Sequence, residues 1–277
     1  MKKILVPVDF SEHSENALET AAAIAKKHGS ELYVLHMLEL SNAIYTASTA
    51  ALNEEGVFYF KLAEKKMNTF LDRNFLDGVD VTPVIKHFKV FKEINEVINA
   101  HQIDLVVMGS HGTSGVKDVI IGSNAERVVR YSEVPVLIVK HNPILVEFNT
   151  GIFASDFSED AIEAYLRAKA TFKKLDSKMH LIYVNTPDNG FKSSTEIDVL
   201  VTKFLRKADG DLENYSNVNV VSDYSVEKGI LNFANSIGAD LVAVATHGRR
   251  GLAHFFEGSI SEDIANHSTL PVMTFKI

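Results

Sequence analysis

GSHGTSGVKDVIIGSNA spans Gly109–Ala125, and ATHGRRGLAHFFEGSIS spans Ala245–Ser261. Each opens on a small residue two places before His-Gly, and nine residues separate that glycine from a Gly-Ser pair. The copies lie 136 residues apart, a spacing that suits a duplicated domain rather than a short-period solenoid. Working outward, the duplication widens. IDLVVMGSHG (103–112) aligns with ADLVAVATHG (239–248), and VPVLIVK (134–140) with LPVMTFK (270–276), at the same offset. Upstream, Asp9-Phe10-Ser11-Glu12 falls on Asp156-Phe157-Ser158-Glu159, and His36 falls on Tyr183, at an offset of 147. The 11 extra residues of the first half are placed in SNAIYTASTAALNEEG (41–56), read as a loop. The boundary falls near HNPILVEFNT (141–150), giving domains of residues 1–142 and 148–277.

Within each half, short apolar runs alternate with amphipathic segments. KILVPV, LYVLHML, VTPVIKH, DLVVMG and VPVLIVK are nearly unbroken, as strands buried on both faces must be. Between them, residues 11–27 have Ser11 as a candidate N-cap, with Leu18, Ala21, Ala22 and Ala25 at helical spacing. Residues 58–74 and 90–102 are helical in the same way. This alternation predicts α/β architecture: parallel strands joined by right-handed crossovers in a doubly wound sheet. Composition narrows the function classes. The formal net charge is −8 with no dense basic run, which argues against a nucleic-acid partner. The chain has no cysteine, so disulfides, thiolate metal sites and cysteine nucleophiles are excluded. The opening MKKILVPVDF is too short in its apolar run for a signal-peptide core, and no run of 18 apolar residues suggests a membrane span. A cytoplasmic protein is expected.

In doubly wound sheets ligands bind beyond the carboxyl ends of strands, where strand order reverses. Asp9 ends the first strand, Gly109 ends the fourth, and Gly122-Ser123 opens the last helix. A helix start offers unpaired N–H groups and a positive dipole end for a phosphate. Glycines at 109 and 112 allow close backbone approach, and Ser123 can cap the helix or donate to a phosphate oxygen. Blander readings stand beside these. Asp9 suits a plain turn, Gly112 and Gly248 suit a strand end, and His111 and His247 read as loop histidines, not as metal ligands or bases. Neither Ser110 nor Ser123 sits in a nucleophile elbow.

The arrangement Gly109-x2-Gly112-x9-Gly122-Ser123, with Asp9 after the first strand, resembles the nucleotide-binding motif of the universal stress protein family, once per half. The resemblance implies a five-stranded parallel sheet in order 3-2-1-4-5, with helices on both faces, in each of two tandem domains. It implies ATP or AMP as ligand, with or without magnesium. Val8, Asp9 and Met37 would surround the base. Gly109, Gly112, Gly122, Ser123 and Asn124 would surround ribose and phosphates, with Met108 and His111 adjoining. In the second half the corresponding set is Asp156, Val184, Ala245, His247, Gly248, Arg249, Gly258 and Ser259. There Ala245 replaces the first glycine; Arg249 and Arg250 add charge that would meet phosphates and offset part of that loss, and the first site is still expected to bind more tightly. The halves are expected to pack as an intrachain pseudo-dimer through their last strands, and homodimerisation of whole chains is compatible with the family. The expected role is adenine-nucleotide binding in a stress response or in signalling, without dedicated catalysis. Two alternatives stand: slow ATP hydrolysis or nucleotidyl transfer on the same fold, and an interaction module with vestigial pockets. Against the enzyme, no G-x4-G-K-[ST] loop and no carboxylate pair for two-metal chemistry is present.

Overall fold

The computed structural model describes residues 1–38, 49–87, 93–110, 122–140, 147–187, 190–246, 264 and 268–277. The first half runs β1 (Lys3–Val8), α1 (Glu12–His28), β2 (Glu31–Leu38), α2 (Thr49–Leu71), β3 (Val81–His87), α3 (Ile94–His101), β4 (Leu105–Gly109), α4 (Ser123–Tyr131) and β5 (Val136–Val139). Its strands lie in the order β3-β2-β1-β4-β5. β1 pairs in parallel with both β2 and β4, and β2 pairs in parallel with β3. The crossovers change direction after β3, so the helices before it and after it cover opposite faces. That double cover explains the unbroken apolar runs: Ile4, Leu5, Val6, Leu105, Val106 and Val107 are fully buried. Pro83, which has no N–H to donate, sits on the terminal strand β3, where the loss is tolerated.

The second half repeats the plan. It runs β6 (Thr150–Ala154), α5 (Ala161–Lys174), β7 (Lys178–Asn185), α6 (Ser194–Ala208), β8 (Val218–Ser222), α7 (Val226–Ser236), β9 (Leu241–Thr246) and β10 (Val272–Lys276). The order β10-β9-β6-β7-β8, with all pairs parallel, is again 3-2-1-4-5 counted within the half. By contacts the described residues form two compact units. The first holds residues up to 110 with 122–134, 139 and 140, and the second holds 147 onward together with Pro135–Ile138.

The local chemistry at the start of α1 agrees with its sequence. Ser11 is the N-cap and accepts a hydrogen bond from the Ser14 N–H, Glu12 and Glu15 lie in the first turn, and Lys26, Lys27 and His28 close the last. This charge order complements the helix dipole, and Gly29 ends the helix with a left-handed φ of 64°. One expectation fails. The stretch 41–56 is not a loop throughout, because α2 begins at Thr49. Alanine is the strongest helix former, so Ala50, Ala51, Leu52, Glu54 and Glu55 favour the helix that their small, polar look seemed to exclude. Residues 41–48 lie outside the described residues.

Candidate functional site

In the first half the carboxyl ends of three neighbouring strands converge. β1 ends at buried Val8, and Asp9 makes the turn into α1. The Asp9 Oδ1 accepts from the Ser11 N–H at 3.1 Å and from the Ser11 hydroxyl at 2.5 Å. Asp9 thus closes a turn on Ser11, and its carboxylate is held at the strand end. Phe10, between them, adopts a left-handed φ of 66°, which a residue with a Cβ rarely takes. At the end of β2, His36 donates from Nδ1 to the Val8 carbonyl at 2.9 Å, with Met37 next in the chain.

The β4 end carries Met108, Gly109 and fully buried Ser110. Ser110 donates its N–H to the Val139 carbonyl at 2.9 Å and accepts from the Gly122 N–H at 2.7 Å. The second bond sets the glycine before α4 beside the end of β4. Gly122 occupies the N-cap position without a side-chain cap, and the Glu126 N–H makes the first helical bond to its carbonyl at 3.0 Å. The N–H groups of Ser123, Asn124 and Ala125 precede that bond, so they have no partner within the helix. Ser123 and Asn124 are exposed. Such a helix start, open toward the strand ends, can hold an anion.

Gly109 is required by packing. A Cβ there would come within 2.6 Å of the His13 carbonyl oxygen, so the glycine lets the first turn of α1 press onto β4. The structure thus brings Val8, Asp9, Met37, Met108, Gly109, Gly122, Ser123 and Asn124 to the carboxyl ends of adjacent strands and the helix start. His111 and Gly112 lie outside the described residues. The sequence reading missed two residues at this corner, Phe10 and His36, whose rings stack 4.3 Å apart. The signal was present: both positions carry a ring again in the duplication, as Phe157 and Tyr183.

Comparison with known proteins matches this fold on both halves. The model of the universal stress protein family fits residues 1–140 and again 148–276. The chain belongs to the universal stress protein family. Similar curated proteins include two universal stress proteins of Methanocaldococcus jannaschii. One is 30% identical over 149 residues, covering 50% of this chain and 82% of that protein. The other is 31% identical over 153 residues, covering 50% of this chain and 94% of that protein. A solved universal stress protein from Archaeoglobus fulgidus DSM 4304 aligns with 99% of this chain and 98% of its own, with a TM-score of 0.64 and 26% identity.

The second half of this universal stress protein keeps the turn and changes its surroundings. Asp156 Oδ1 accepts from the Ser158 N–H at 2.9 Å, and Phe157 repeats the left-handed conformation with φ 55°. Phe157 packs on Phe204 and Tyr183, with centroids 5.1 and 6.2 Å away. α5 starts at Ala161, whereas Glu159 aligns with Glu12 at the start of α1, so the second helix begins two residues later. Val184 lies against α7, where a Cβ on Gly229 would meet its Cγ1 at 2.5 Å. His247, Gly248, Arg249, Gly258 and Ser259 lie outside the described residues. Among the described residues no group of three His, Asp or Glu could hold a metal ion, and no helix is long and apolar enough to cross a membrane.

Proposed function

We propose that the first half binds an adenine nucleotide, ATP or AMP, and that occupancy serves a stress or signalling role without dedicated catalysis. The observation that carries this reading is the Gly122 N–H to Ser110 carbonyl bond at 2.7 Å, which aims the uncapped start of α4 at the end of β4. Phosphates suit that helix start. The base suits the corner of Val8, Asp9 and Met37; His111 and Gly112, which lie outside the described residues, complete the proposed set. The nucleotide is bound with or without magnesium. The protein acts in the cytoplasm, as two domains of residues 1–142 and 148–277. The domains associate through their last strands, and a homodimer of whole chains is compatible with this reading. Support for the pairing is the unprotected backbone edge that β5 and β10 would each otherwise present as the terminal strand of their own half.

The test is calorimetric titration with ATP and AMP, with mass spectrometry of any ligand released on denaturation. Gly122 has φ −60° and ψ 146°, which valine adopts without strain, so Gly122→Val should fold. Its side chain should obstruct the phosphates and abolish binding in the first half. Unchanged affinity would remove the assignment. A turnover assay with and without magnesium separates this reading from the slow hydrolase. The second site, at Asp156, Val184, Ala245, His247, Gly248, Arg249, Gly258 and Ser259, binds at least about tenfold more weakly, roughly 1.4 kcal/mol. Separate titrations of Asp9→Ala and Asp156→Ala report on the two sites. Loss of the tighter phase in Asp156→Ala alone would reverse their order.

A further inference from the structure

His36 fastens the end of β2 to the end of β1 by a bond outside the regular strand ladder. A carbonyl oxygen only accepts, so the hydrogen bond to Val8 places the proton of the neutral ring on Nδ1. The ring is half-buried and stacks on Phe10, which meets Phe70 of α2 edge-on at 5.5 Å. Two charged groups act on it, Lys66 from α2 and Asp9 from the turn after β1. β3 sets Ile85 beside it in register, and α1 buries Ala17, Leu18 and Ala21. Burial holds the imidazole below the ordinary histidine pKa. Lys66 acts in the same direction, while the Val8 bond and Asp9 oppose it. In the second half the aligned residue is Tyr183, an aromatic ring without a titratable nitrogen, packed on Phe157.

We infer that His36 is a positioning residue that shapes the Val8–Asp9 corner for the nucleotide and makes binding in the first half weaken in acid, a dependence that Tyr183 spares the second half. This rests on the reading of the first half as a nucleotide site. Above its lowered pKa the ring is neutral and its single N–H is committed to Val8. Protonation puts a positive charge on the ring within the field of Asp9, and that charge draws on the carboxylate that shapes the turn. Binding is therefore intact near pH 7.5 and falls as the pH drops through the lowered value. Linkage requires the converse: the nucleotide must push the His36 pKa further down.

The experiment is ATP titration of the wild type, H36Q and H36F at pH 7.5 and 5.5. The terminal phosphate of ATP titrates in the same range, so the reading is the difference between proteins. The wild type should lose roughly fivefold more affinity between the two pH values than H36Q, which keeps an N–H donor and loses the titration. H36F, with a ring and no donor, should bind more weakly than H36Q at both. In NMR spectra the His36 titration midpoint should move to lower pH when ATP saturates the protein. Equal pH slopes in the wild type and H36Q, or an upward midpoint shift, would overturn the inference while leaving the nucleotide site standing. No ATP binding by the wild type at pH 7.5 would remove both.

Discussion

An added methyl at Gly109 would lie 2.6 Å from the His13 carbonyl oxygen, a backbone atom that cannot swing aside. Gly109→Ala should therefore lower stability by about 2 kcal/mol, the ordinary cost of overpacking, with or without nucleotide. Thermal melts check this. A variant that melts normally but binds poorly would return the glycine to the ligand. A second site of high cost lies at Asp209, whose side chain is 3% exposed. It accepts from the Tyr165 hydroxyl at 2.7 Å, Lys169 Nζ at 2.9 Å and Asn214 Nδ2 at 2.8 Å. Burial alone would raise its pKa, but the three donors together bring it below the usual aspartate value. Asp209→Ala leaves the Tyr165 hydroxyl buried without its acceptor and should cost about 2 kcal/mol. A depressed carboxylate contributes stability above its unfolded pKa of 3.8 and loses it as pH falls through the folded value. The stability gap between wild type and variant should therefore close below about pH 4 in acid titration monitored by circular dichroism.

At the scale of elements, the first helix of each half is launched by the same Asp-Phe-Ser turn, with a phenylalanine in left-handed conformation at its centre. Conformations of this kind cost about 1–2 kcal/mol and persist because the surroundings over-determine them. Here the ring is held by aromatic partners, His36 and Phe70 in one half and Tyr183 and Phe204 in the other. α7 shows the opposite tension. Gly229 lies inside the helix, where alanine would ordinarily add about 1 kcal/mol of helix stability. Its Cβ would instead meet Val184 Cγ1 at 2.5 Å, and valine is stiff at χ1. Gly229→Ala should come out destabilising by about 1 kcal/mol in urea unfolding. A stabilised variant would mean that α7 can move off β7.

At the scale of the whole molecule, the proposed association of the halves can be read by cutting the chain. Fragments 1–142 and 148–277, expressed together, should co-purify and co-elute in size exclusion at micromolar concentration. Association through the last strands would protect backbone groups that an open sheet edge exposes. Fragments that elute apart would refute the pairing.

By itself the sequence determined the duplication, the α/β class, the strand positions and the start of α1. These follow from the spacing of like residues, from apolar runs that only double-faced burial explains, and from a serine cap whose bond is local. It also determined which residues stand at the strand ends, because parallel crossovers force every strand of a half to point the same way. Tertiary structure decided the rest, since contacts between distant segments have no local signature. Gly109 reads as room for a ligand, and the fold adds a second demand for the missing Cβ in His13, 96 positions away in the chain. The start of α2 at Thr49 was hidden by a composition that fits loop and helix alike. His36 and Phe10 meet only because β2 lies beside β1, and the register that joins them is a property of the folded sheet.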